Sequence, residues 1–126
     1  MAAPPAVPFL PRRVPIDGYG EKFFHFSGMS HAGSVLALPS GIHAWDVADM
    51  KSLDETGLAP ILAEADAFEL LLLGTGRDPA HLMEPLKAAL RAAGLRFELM
   101  PTASAASTYN VLLAEGRPVG AALIAI

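Results

Sequence analysis

The chain has 126 residues, enough for one domain with a sizeable core, and 52% of them are hydrophobic against 17% charged, which excludes a disordered chain. With 9 basic and 13 acidic residues the formal net charge is -4, so no basic surface exists to neutralise phosphates, and nucleic acid is excluded as the expected partner. There is no cysteine, which removes disulfides, thiolate metal sites, iron–sulfur clusters and cysteine nucleophiles together.

Residues 1–13 carry Pro4, Pro5, Pro8 and Pro11 and read as a flexible proline-rich arm, because proline fixes φ and removes backbone donors. The arm is not a secretory signal: the basic pair Arg12-Arg13 follows the apolar part, and no unbroken apolar run precedes it. It also lacks the Arg- and Ser-rich amphipathic pattern of a mitochondrial transit peptide. A partner-docking arm is the functional alternative. A single α/β domain is expected over residues 14–126.

The first half of that domain reads as β. Residues 14–17 are a candidate strand, Gly18-Tyr19-Gly20 a turn, residues 22–26 an aromatic strand, and residues 27–33 a loop. Residues 34–38 and 42–45 read as strands around the turn triplet Pro39-Ser40-Gly41, and short strands with glycine turns favour antiparallel pairing.

The second half alternates. Residues 54–65 are a helix candidate with Leu58, Ile61 and Leu62 on one side, although Pro60 conflicts with a helix interior. Residues 68–73 are an apolar run, broken only by Glu69 and ended by Gly74, as in a strand buried on both faces. Asp78 and Pro79 read as the N-cap and first residue of a helix reaching Ala93, with Leu82, Leu86 and Leu90 as its core stripe and Gly94 closing it. Residues 95–100 form the next strand. Pro101-Thr102 opens a helix to Glu115, and residues 117–126 are the last strand, too short to span a bilayer. The expected fold class is α/β: one compact domain with a central mixed sheet, N-terminal antiparallel strands, a parallel βαβ unit and about three helices.

Open α/β sheets bind ligands beyond the carboxyl ends of parallel strands. Gly74-Thr75-Gly76 and the segment opened by Thr102 follow two such strands, and each leads toward a helix N-terminus that favours an anion. The candidate ligand residues are Gly74, Thr75, Gly76, Thr102 and Ser104. The structural alternative makes Thr102 an N-cap and lets Asp78 repel an anion. Tyr109 and Asn110 complete the candidate set. Asparagine is a mediocre helix former, so Asn110 either fixes the helix to a neighbouring segment or points into the crevice, with fixing favoured.

Other chemistry is weakly marked. His25, His31, His43 and His81 show no metal-ligand spacing, so no metal is expected. Gly-x-Ser-x-Gly is absent and no catalytic residue is assigned. Glu69 is the one carboxylate read as partly buried, either as an acid/base candidate or as a partner of Arg96. Tyr19, Phe23, Phe24, Phe26 and Trp45 read mainly as core, and an exposed subset would make a protein-binding patch.

Several stretches together resemble one known family: Asp17-Gly18-Tyr19-Gly20, Phe24-x-Phe26, Gly33-Ser34-Val35-Leu36, Leu38-Pro39-x-Gly41, Trp45, Leu71-Leu72-Leu73-Gly74-Thr75-Gly76, Met100-Pro101-Thr102 and Thr108-Tyr109-Asn110-Val111-Leu112-Leu113-x-Glu115-Gly116-Arg117. It is the small single-domain family of unknown biochemical activity whose eukaryotic member is mitochondrial complex I assembly factor 3, and the likeness covers essentially the whole domain. The resemblance implies a compact α/β fold, a role in assembling the respiratory NADH dehydrogenase through protein contacts, and no established catalytic residue. The missing transit peptide suits a bacterial, cytoplasmic member (mitochondrial only from a eukaryotic source). The expectation is a non-enzymatic interaction module without a cofactor. Its partner would be a protein such as a respiratory-complex subunit, with peripheral membrane contact allowed. The alternative is a small-molecule or anion-binding protein, or an enzyme of unknown reaction, that uses the crevice between Gly74-Thr75-Gly76 and the Thr102 helix.

Overall fold

The computed structural model describes residues 10–126, so most of the proline-rich arm, residues 1–9, lies outside the described residues. In chain order the elements are β1 (Gly18–Gly20), β2 (Phe23–Phe26), β3 (Met29–Ala32), β4 (Val35–Leu38), β5 (Gly41–Ala44), α1 (Glu55–Leu62), β6 (Leu70–Gly74), α2 (Glu84–Ala92), β7 (Arg96–Met100), α3 (Thr102–Ala114) and β8 (Val119–Leu123). They form a three-stranded antiparallel meander, β1-β2-β3, and a five-stranded sheet ordered β5-β4-β8-β6-β7. β6 runs parallel to β7 and β8, whereas β4 is antiparallel to β5 and β8. This is the α/β class with a mixed central sheet that the alternating second half implies.

The leucine run of β6 has a direct physical cause. β6 lies inside the sheet, and both of its faces are covered. Leu71 and Leu73 pack with Leu58, Ile61, Leu86 and Leu90 of α1 and α2, while Leu72 packs with Ala105, Ala106 and Tyr109 of α3. Small residues on α3 and β8, Ala105, Ala106 and Ala121 among them, let that helix lie close to the sheet. The β6–α2–β7 crossover steps outward with its helix on one face. The β7–α3–β8 crossover steps back past β6 with its helix on the other. Reversing both step and face preserves the hand, so the two crossovers share it.

Several local readings differ from the structure. Gly18-Tyr19-Gly20 is a strand rather than a turn, and β3 occupies part of the expected loop. Two tight turns create these strands. Glu21 and Lys22 (φ 53° and 68°) join β1 to β2, and Ser27 and Gly28 (φ 48° and 75°) join β2 to β3. Consecutive left-handed residues match the strand twist, as in type I′ hairpins. Residues 14–17 are not a strand, yet Val14 and Ile16 are buried against α3. Of the arm, Leu10 bridges to Ile42, and Arg13 Nη1 donates to the Val119 carbonyl at 2.6 Å.

Helix α1 begins after Asp54, whose side chain accepts the Gly57 N–H at 3.0 Å. Pro60 stays inside it, so the Thr56 carbonyl has no i+4 donor. Helix α2 starts at Glu84, not after Asp78, and Pro85 takes its second position. The Asp78 carbonyl is instead held by Thr75 Oγ1 at 2.7 Å, so the chain runs without regular structure to Met83. Leu82 precedes the helix but still enters the core with Leu86 and Leu90. Gly94 and Gly116 follow their helices with φ of 81° and 74°, as left-handed closing residues.

Candidate functional site

The carboxyl ends of β6 and β7 meet as the sequence implies: Gly74 pairs with Met100, and the following helices lie on opposite faces of the sheet. This is the switch point where α/β sheets open a crevice. Here the chain's own groups fill it. Thr102, at the first position of α3, is fully buried. Its Oγ1 donates to the Ile124 carbonyl at 2.7 Å and accepts the Gly76 N–H at 3.0 Å. The Thr102 N–H in turn donates to the Gly76 carbonyl at 2.8 Å. Thr75 donates its N–H to the Met100 carbonyl at 2.9 Å, and its hydroxyl faces the Asp78 carbonyl. A Cβ on residue 74 would lie 2.9 Å from Thr102 Oγ1, which is why Gly74 is glycine.

The seven candidate residues therefore fall into three groups. Gly74, Thr75, Gly76 and Thr102 form one hydrogen-bonded knot. Ser104 lies exposed on the first turn of α3. Tyr109 and Asn110 sit about 10 Å farther along the helix axis. There the Asn110 amide pairs with the backbone of Ile16, Oδ1 accepting its N–H and Nδ2 donating to its carbonyl, both at 2.8 Å. Tyr109 Oη donates to the Val14 carbonyl at 2.9 Å. Burial pushes the Tyr109 phenol well above its usual range, and the Arg13 guanidinium opposes that shift only in part. These two side chains lash residues 14–16 to α3.

A second polar cluster lies at the β4–β5 turn. Ser40 gives its N–H and its hydroxyl to the two carboxylate oxygens of Glu64 at 2.8 and 2.6 Å, and His43 Nε2 lies 2.7 Å from Ser40 Oγ. With the serine proton directed at Glu64, His43 Nε2 is the donor, the reverse of a general base poised on a serine. Burial lowers the His43 pKa below its ordinary 6.5, and the Glu64 charge offsets this in part. His25 lies on the other sheet and contacts Ser30 at 2.7 Å. Among the described residues no group of three His, Asp or Glu side chains could hold a metal ion. Glu69 and Arg96 meet through their backbones, Arg96 N–H to the Glu69 carbonyl at 3.1 Å, and not as an ion pair.

Two concavities lie away from the seven candidate residues. One of about 400 Å³ opens between the starts of α1 and α2, lined by Leu53, Glu55, Met83 and Leu86 among others. Met83, next to the core residue Leu82, is 65% exposed. The second, about 230 Å³, lies beside Lys22, Ser34, Trp45 and Ala125. The aromatic group divides: Phe24, Phe26 and Trp45 are core, whereas Tyr19, Phe23 and also Met29 are exposed on the meander. No helix among the described residues is long and apolar enough to cross a membrane.

A mixed-sheet α/β domain, with its switch point closed by threonine and its N-terminal segment clamped by α3, defines the structural class. The chain belongs to the family described as protein of unknown function (DUF498/DUF598), whose model matches residues 16–124. It is 46% identical over 120 residues to an uncharacterised protein of Rhodobacter capsulatus, covering 95% of this chain and 91% of that one. It is 31% identical over 115 residues to NADH dehydrogenase [ubiquinone] 1 alpha subcomplex assembly factor 3 of Rattus norvegicus, covering 91% of this chain but 62% of that protein. The chain thus spans less than two thirds of that relative. Among solved structures it resembles an outer membrane protein from Bartonella henselae, with a TM-score of 0.88 and 40% identity over 92% of this chain and 98% of that one.

Proposed function

We propose that this chain is a non-enzymatic protein-interaction module that acts in the assembly of a respiratory NADH dehydrogenase. It would work in the cytoplasm, without a cofactor, and touch membrane complexes peripherally. One observation carries the reading over the alternative: the Thr75 and Thr102 hydroxyls at the switch point are held by the chain's own carbonyls. The likeness to assembly factor 3 supplies the process. Phe23, exposed on the meander face opposite the buried Phe24 and Phe26, offers an apolar contact surface. The test is recovery of respiratory-complex subunits with tagged protein, together with complex levels in a deletion strain. Recovery of those subunits and a fall in assembled complex are expected. Normal complex levels with no subunit recovered would end the proposal.

A second reading keeps a small anionic or polar ligand at Gly74, Thr75, Gly76, Thr102 and Ser104. Its support is the juxtaposition of the two loops and the exposed Ser104 at the start of α3. A ligand at a hundredfold excess over its Kd would raise stability by about 2.7 kcal/mol. A flat thermal-shift response across an anion and metabolite panel rejects this reading.

A further inference from the structure

The geometry points to β7 as a self-pairing edge, through which two copies of this chain join their sheets antiparallel about a two-fold axis centred on Phe97. β7 lies at the margin of the five-stranded sheet and pairs with β6 alone. The bonds Arg96 N–H to Glu69 carbonyl and Thr75 N–H to Met100 carbonyl fix the parity of the ladder. Arg96, Glu98 and Met100 point their backbone groups toward β6, so the N–H and C=O of Phe97 and Leu99 point outward. The opposite margin is different: β5 is covered by Leu10, whose carbonyl takes the Ile42 N–H at 3.0 Å.

An open edge is a template for another strand, and exposed charge commonly guards it. Here the charge has a pattern. Arg96 and Glu98 are exposed on the α3 side of the sheet, and the register sets them opposite Leu70 and Leu72, so neither has an ionic partner within the described residues. Opposite charges two residues apart are self-complementary in an antiparallel pair centred on the residue between them. In that register Arg96 faces Glu98 of the second copy, and Glu98 faces its Arg96. Both pairs are of the non-hydrogen-bonded kind, in which side chains come closest. Phe97 N–H and C=O exchange bonds with Phe97 of the second copy. Centring on Glu98 would set Glu98 against itself, and centring on Leu99 would set it against Met100. Charge therefore selects the Phe97 register. On the other face the half-buried Phe97 ring, with the Arg91 guanidinium 5.8 Å from its centroid, would meet its own copy and lose its remaining contact with water. The contact is isologous and closes at two subunits.

The test is the mass of the full chain by sedimentation and light scattering between about 1 μM and about 1 mM, with amide exchange followed at both ends of the range. A monomer–dimer transition is expected, with the Phe97 and Leu99 amides exchanging more slowly in the concentrated sample. Arg96→Glu and Glu98→Arg should each raise the dimer Kd at least tenfold while leaving the circular dichroism unchanged, because both side chains are exposed. The double swap R96E/E98R restores the complementarity and should return Kd to within a few-fold of the starting value. Monomer mass throughout overturns the inference. So does a dimer indifferent to both single swaps, or a double swap that fails to restore it.

Discussion

One buried hydroxyl, that of Thr102, joins the loop after β6, the start of α3 and the end of β8. Thr102→Val preserves shape but leaves the Gly76 N–H and the Ile124 carbonyl without their partner, and should cost about 1–3 kcal/mol in chemical denaturation. Asn110→Leu strands both backbone groups of Ile16 and should cost more than about 1 kcal/mol by the same measurement. His43 gives the fold a pH dependence. Its folded pKa lies below the unfolded 6.5, so as pH falls through that value the unfolded chain binds the proton first and stability drops. The stability is fully present above about pH 6.5, and His43→Gln should flatten that slope in denaturation series between about pH 5 and pH 7. Tyr109 acts at the other extreme: its raised pKa stabilises the fold below about pH 10, and that contribution is lost as alkali ionises the phenol.

At the scale of elements, strain is concentrated in the meander and in α1. Glu21 holds φ 53° without being glycine, so Glu21→Gly should raise stability by about 0.5–1 kcal/mol. Pro60→Ala returns an N–H to the Thr56 carbonyl and should add about 1–3 kcal/mol, read as a higher melting midpoint. The run from β6 to β8 was legible in the sequence because β6 and β8 are short apolar blocks, β7 follows a helix closed by Gly94, and α3 is closed by Gly116. β3 was not legible, because Met29, Ser30, His31 and Ala32 carry no β-branched or aromatic pattern; pairing with β2 through the Ser27-Gly28 turn makes them a strand. Asp78-Pro79 imitates a helix start, but Thr75 Oγ1 competes for the Asp78 carbonyl and the chain stays open to Met83. Alternation made the two switch-point loops neighbours only if β6 and β7 pair, as they do. That their hydroxyls point inward did not follow from it, since a threonine after a strand caps a helix and lines a pocket with the same residue type. The fixing role favoured for Asn110 agrees with its geometry, although no motif marks Ile16 as its partner.

At the scale of the molecule, two cores lie on the two faces of one sheet, and β6 belongs to both. Leu72→Ala would open a cavity under α3 and should cost about 2–5 kcal/mol. Phe23 is exposed on the meander, so Phe23→Asp should leave the melting midpoint nearly unchanged while abolishing recovery of respiratory-complex subunits; undiminished recovery would move the contact surface elsewhere. β8 lies between β4 and β6, so it alone links the antiparallel pair to the parallel one. In chain order it also follows every strand that it joins. Until it emerges from the exit tunnel, the nascent polypeptide holds two unjoined half-sheets with bare margins, each open to a wrong neighbour. Closure of the sheet is thereby deferred until residues 119–123 are available, when one strand slides between the halves and closes both at once.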